Sequence, residues 1–250
     1  MYDDDDLSLI DPEAELESPL DQLTPVDAEE VNRPDPEAML SLLESADVTQ
    51  RMLATRAFCE LQDERATPHL IRLLAEGCPL VRVSAAYALG RNPSPEAVEP
   101  LIYRLEQDWN GYVRKGVVWA LGNCHDRRAL EPLIDALQTD ISAVRLWAAS
   151  SLGQMSEVSP EAAQLALPPL AEALIHDPIA AVRSNCAWAL GQLCQAIPLG
   201  DVYTQAIASL ITALSDPDMG VQEDARAALL KLGDPRGLQA IEELQLEQLG

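Results

Sequence analysis

The dipeptide Val-Arg returns at a steady interval along this chain. Each time, Leu-Gly follows eight and nine residues after the Val: Val81-Arg82 with Leu89-Gly90, Val113-Arg114 with Leu121-Gly122, Val144-Arg145 with Leu152-Gly153, and Val182-Arg183 with Leu190-Gly191. Self-similarity at a period of roughly 30 to 40 residues marks a stacked array, in which no unit can bury its apolar face alone and each leans on its neighbours. Such a chain presents a long surface, and it reads as a binder before it reads as an enzyme.

With the Arg as register, six copies align, at Arg51, Arg82, Arg114, Arg145, Arg183 and Gln222. Each reads as a helix A, a short acidic turn (Glu76, Asp108, Asp140, Asp177, Asp216), a helix B beginning near the Val, and a break at the Gly or just beyond. Apolar runs opened by Pro68, Pro100, Pro132 and Pro169 place proline at the start of helix A, where its missing N–H costs nothing. The last two intervals are longer, which puts irregular loops around 156–164 and 195–204. Aromatic residues are only 4% of the chain, and the apolar content is mostly Ala and Leu, as suits helices packed through small side chains. The predicted fold is all-α, an α-solenoid of about six helix pairs.

At 100° per residue, Val144, Ala148, Ser151 and Leu152 fall on one stripe of helix B, as do Val182, Cys186, Ala189 and Leu190. This stripe is the predicted core. The Arg beside the Val lies at its edge, within reach of the acid of its own or the adjoining turn, which predicts an Asp–Arg ladder along the stack. Phosphate binding by these arginines is the functional alternative.

Residues 1–35 read as a separate, mostly disordered tail ahead of a repeat domain over 36–250. Up to residue 38 the chain carries fourteen acidic residues against one base, Arg33, and five prolines, too little apolar surface to offset the entropy of ordering. A solubilising tail, a lure for a basic partner and a pseudo-ligand for the folded part are all compatible with that composition. The net charge of −24 argues against nucleic acid and against anionic membrane as partners, since both need a basic face. No apolar run is long enough to insert in a membrane and no leader opens the chain, so a cytoplasmic protein is expected.

The sixth residue after the Val points about 240° around helix B, away from the core stripe, where a solvent-facing site should be polar. Instead it holds Tyr87, Trp119 and Trp188, with Ser150 and Ala227 in two other repeats. If helix B lines the concave side, these rings project into a groove, with Lys115 and Trp147 on neighbouring faces and Trp109 and Tyr112 at the turn before the third helix B. Aromatic anchors of this kind suit a protein partner, and they could also sandwich a flat tetrapyrrole. The competing reading buries the rings against helix A or the next repeat.

Five cysteines, an odd number, and a large available core argue against a disulfide framework, and reduced thiols are expected. Cys186 and Cys194 lack a Cys-x-x-Cys spacing. Cys124, beside His125 at the end of the third helix B, is a weak candidate for one ligand to a cluster shared with a partner, against a plain free thiol. His69, His125 and His176 fall in three repeats, so spacing assembles no catalytic triad; no phosphate loop is present either.

Units such as Val-Arg-Val-Ser-Ala-Ala-Tyr-Ala-Leu-Gly (81–90) and Val-Arg-Ser-Asn-Cys-Ala-Trp-Ala-Leu-Gly (182–191) resemble HEAT-like repeats of the phycobilin-lyase and phycobilisome-disassembly class of cyanobacteria, over about 37–240. The block 108–124 is similar to the HEAT-repeat partner of the A-type iron–sulfur scaffold. The resemblance implies partners rather than one chemistry: a phycobiliprotein or the A-type scaffold, with a bilin or a partner-shared iron–sulfur cluster as the cofactors that would accompany them and none held by the chain itself. The expected function is a non-catalytic interaction scaffold or assembly factor. The alternative is a bilin lyase subunit that attaches or removes chromophore.

Overall fold

The computed structural model describes residues 34–249, and side chains as far as 246. Residues 1–33, on which the expectation of an acidic tail falls, lie outside the described residues. Pro36–Gly250 form one compact unit. No strand occurs among the described residues.

Six antiparallel helix pairs follow one another: α1 (Pro36–Leu42) with α2 (Val48–Ala57), α3 (Thr67–Leu73) with α4 (Pro79–Arg91), α5 (Pro95–Gln107) with α6 (Gly111–Asn123), α7 (Leu130–Thr139) with α8 (Ser142–Leu152), α9 (Pro160–His176) with α10 (Ala180–Leu193), and α11 (Asp201–Ala213) with α12 (Met219–Leu232). A last helix, α13 (Pro235–Leu249), packs on both members of the sixth pair. The array is an α-solenoid. At every junction the B helices (α2, α4, α6, α8, α10, α12) pack more extensively against one another than the A helices do, which makes the B file the inner face of the stack.

Local chemistry sets the helix starts. The Asp47, Ser94, Asn110, Ser159 and Asp218 side chains each accept a backbone N–H from the first turn that follows, filling a donor the helix leaves orphaned. Pro95 and Pro160 then sit in the first turn.

This corrects the role predicted for the recurring proline. Pro68 does open α3, but Pro100 lies inside α5, and Pro168 and Pro169 lie inside α9. The real start signals, a Ser followed by Pro, stand further upstream. The extra residues before the fifth repeat are likewise not all loop: 155–157 form a 3-10 turn and those from Pro160 onward belong to α9, which runs 17 residues.

The predicted stripe is the core. Val81, Val113, Val144, Val182 and Val221 are fully buried, and so are Leu89, Leu121, Leu152, Leu190 and Leu229. Burying a Val or Leu contributes about 1.5–3 kcal/mol, so every repeat places a similar apolar contribution at its seam.

The helices end at the expected place, at the glycine or just beyond it: α8 stops at Leu152 with Gly153 as its cap, and α4, α6 and α10 run one or two residues past their glycines. Gly90, Gly122 and Gly191 lie within α4, α6 and α10, and among the described residues only Gly233, after α12, and His125 have positive φ. These glycines also let consecutive B helices touch. A Cβ on Gly122 would stand 2.6 Å from Ser151 Oγ and 3.2 Å from Ser151 Cα; one on Gly90 would stand 2.4 Å from the Trp119 ring. The motif that marks the end of each of these helices is also a packing notch.

Candidate interaction surface

The Arg of each repeat reaches forward, to the acid of the next turn rather than its own. Arg82, Arg114, Arg145 and Arg183 each donate through Nε and Nη2 to both oxygens of Asp108, Asp140, Asp177 and Asp216, at 2.6–2.9 Å. Their Nη1 atoms donate to backbone carbonyls of their own turns, at Glu76 and Gly77, Asp108, Asp140 and Asp177. Arg51 makes the first rung with Glu76, at 2.8 Å. One planar guanidinium thus ties two turns together, which an ammonium could not do.

Gln222 ends the ladder. Its Nε2 donates to the Asp216 carbonyl, keeping the bond to its own turn while needing no following carboxylate. The electrostatics agree with pairing. The bonds to their carboxylates raise the Arg114, Arg145 and Arg183 pKa values, and the Arg183 bond holds Asp216 below the usual range. Burial pushes Asp108 upward, yet its bonds to Arg82 and the Asn110 amide outweigh that and leave it depressed. With Nε, Nη1 and Nη2 all committed, these arginines are not a phosphate site.

The aromatic residues divide into two sets. Tyr87, Trp119, Trp147 and Lys115 are half-buried along the B file, and Trp188 is 43% exposed. The Tyr87 and Trp119 rings meet at 5.4 Å between centroids, tilted by 47°. Trp119 lies over Gly90, and the edge of Trp188 lies over Gly153, so each indole is seated on the notch of the preceding repeat. The Lys115 ammonium stands 5.4 Å from the Trp147 centroid, a cation–π contact. The rings are therefore neither wholly core nor free: one edge holds the stack and the remainder is open.

Trp109 and Tyr112 belong elsewhere. Trp109 stands on the turn before α6 and Tyr112 in the first turn of that helix, 79% and 75% exposed, at the edge of the array rather than on its inner face. Leu80, Ile141, Ile179 and Met219 are exposed at the equivalent turns. Sequence reasoning missed these four, although each lies one to three residues before the repeat's Val.

Cys124 is half-buried against the core, and burial pushes its thiol up to about 11, which disfavours the thiolate a metal would need. Among the described residues no group of three or more His, Cys, Asp or Glu could hold a metal ion, and the five cysteines are free thiols. Four clefts lie away from the rings. One of about 640 Å³ is bounded by the loop 91–96, two of about 470 and 380 Å³ lie between successive A-to-B turns, and one of about 270 Å³ lies between α9 and α11. No described helix is long and apolar enough to cross a membrane.

Helix pairs stacked through a shared seam define a helical-repeat protein. The chain belongs to the HEAT-repeat family: residues 36–108, 98–167 and 167–248 each match HEAT repeats. No curated protein matches it in sequence. Among solved structures it is similar to an engineered protein, at 25% identity and a TM-score of 0.61 over 79% of this chain and 98% of that one. It is also similar to the complex of CpcE and CpcF of phycocyanin lyase from Nostoc sp. PCC7120, at 27% identity and a TM-score of 0.55, over 66% of this chain and 99% of that one. A designed armadillo repeat protein in complex with the peptide (KR)4 shares the fold, at 22% identity and a TM-score of 0.57 over 79% of this chain and 98% of that one.

Proposed function

We infer that this chain is a non-catalytic interaction scaffold whose inner, B-helix face grips a partner protein through Tyr87, Lys115, Trp119, Trp147 and Trp188. The observation that carries this reading is the half-open seating of the indoles. A ring fixed along one edge has lost its rotamer freedom before binding, so its free face can bury against a partner at little further entropic cost. The likeness to the phycocyanin lyase subunits supports a phycobiliprotein as that partner, and a role in phycobilisome handling.

A second reading makes the chain a bilin lyase subunit. The same likeness favours it, but a lyase needs a tetrapyrrole-sized pocket with an acid or base beside the pigment, and none of the clefts described above is lined by Trp119 or Trp188. Iron–sulfur delivery, with the A-type scaffold as partner, rests on the resemblance of residues 108–124. Titration calorimetry with three purified partners separates the readings: phycocyanin with its bilin, apo-phycocyanin and the A-type scaffold. The scaffold reading expects saturable binding to phycocyanin with no change in pigment absorbance. Bilin release or attachment would support the lyase reading, and binding to the A-type protein alone would move the role to cluster assembly.

A further inference from the structure

We propose that the edge formed by the A-to-B turns is a second docking surface, distinct from the inner face, and that its occupant is an extended basic segment with one apolar side chain per repeat. The edge carries an exposed apolar residue at five successive turns: Leu80, Tyr112, Ile141, Ile179 and Met219. The row is continuous where it can be traced atom by atom, since Ile141 Cδ1 occupies the space a Cβ on Gly111 would need, at 2.4 Å, and so bridges the third and fourth turns.

The charge beside that row has one sign. The guanidinium groups under it are committed to ladder carboxylates and backbone carbonyls, and Arg104 stands 3.6 Å from Asp108. What remains free is acidic. Glu106 and Asp135, both exposed, line the cleft of about 470 Å³ between the third and fourth turns together with Leu105 and Ile141, and neither has a cationic partner among the described residues. Glu172 lines the next cleft, where its neighbour is His176, at 3.7 Å.

A Lys or Arg side chain suits such a cleft at both ends, its aliphatic stem lying along Leu105 and Ile141 and its head meeting Glu106 and Asp135. Stacked helices stand about 8–10 Å apart and an extended chain rises about 3.3 Å per residue, so about three residues of partner span one repeat. The segment that fits reads as a basic residue, an apolar residue and a spacer, repeated. A second copy of this chain does not fit, because its own edge would bring more acids against these.

The test uses the full chain and a labelled peptide of four Lys-Ile-Ala triads, followed by fluorescence anisotropy. The double variant Glu106→Gln/Asp135→Asn should bind it about tenfold more weakly, Ile141→Ser should also weaken it, and Trp188→Ala should leave it unchanged. Removing two acids elsewhere, in Glu242→Gln/Glu243→Gln, should have no effect. Equal binding by both double variants would overturn the proposal, as would equal binding of a peptide with Glu in place of Lys. Loss of binding in Trp188→Ala would overturn it in favour of the inner face. A dimer of the wild type that dissociates in Ile141→Ser would do so in favour of a second copy. Because the peptide is read at the edge and phycocyanin at the inner face, either surface can fail without the other.

Discussion

The turn ladder and the inner aromatic file run along the same stack and obey opposite rules. The ladder places a rung at every junction from Arg51 to Arg183, the first a single contact to Glu76 and the other four bidentate to aspartates, and stops at Gln222. The aromatic file does not repeat: the same register holds Tyr87, Trp119, Ser150, Trp188 and Ala227. A feature that every unit carries serves what every unit must do, which is to hold its neighbour. A feature that changes from unit to unit is free to suit something outside the array.

Breaking the ladder should cost most. Asp108 has a fully buried side chain, so Asp108→Ala strands Arg82 without its counter-charge, and chemical denaturation should show a loss of about 3–5 kcal/mol. A loss below about 1 kcal/mol would mean that the rung is dispensable. The same rungs set the acid response. Since Asp108 and Asp216 have depressed values in the folded chain, their contribution is complete above the ordinary aspartate pKa of about 3.9 and is lost as pH falls through the lower folded values. Thermal midpoints measured from pH 7 downward should therefore hold to about pH 5 and fall below about pH 4, less steeply in Asp216→Asn.

The notches come next. Gly to Ala inside a helix normally stabilises by about 1 kcal/mol, but at Gly122 the new methyl meets Ser151 backbone as well as its side chain, so Gly122→Ala should destabilise by about 1–3 kcal/mol. An increase in stability would show the seam to be looser than described. The rings should then divide as their seating does. Trp119→Ala, which also loses the Tyr87 contact, should cost more stability than Trp188→Ala, whose ring is 43% exposed. Equal losses would erase that distinction. Trp109→Ala, on the edge, should change stability by no more than about 0.5 kcal/mol.

Much of this architecture could be read from residues alone. The Val-Arg beat fixed the register, and the register located the core stripe, the B helices and the ladder, because a period set by stacking is written once per unit. Which acid each Arg would take was not legible: two carboxylates stood within reach, and only the stagger of the helices decides for the forward one. Proline misled for a related reason. Pro near a helix start signals either the first turn or a tolerated interior site, and sequence position alone does not separate these. Gly at the end of an apolar stripe did mark the helix end, but its second role, the close approach of the next helix, was not legible. At the site, the inner rings were found because aromatics interrupted an expected polar register. Ile141, Ile179, Leu80 and Met219 went unnoticed because a lone aliphatic residue in a turn is unremarkable until its equivalents are seen to be exposed along the same edge.

The claim that non-repeating rings bind while repeating rungs hold is most directly tested at Trp188. Calorimetric titration of phycocyanin into the wild type and into Trp188→Ala, with denaturation of both in parallel, should show binding weakened by about tenfold or more and stability within about 1 kcal/mol. Undiminished affinity in a folded variant, or a variant that no longer folds, would contradict it.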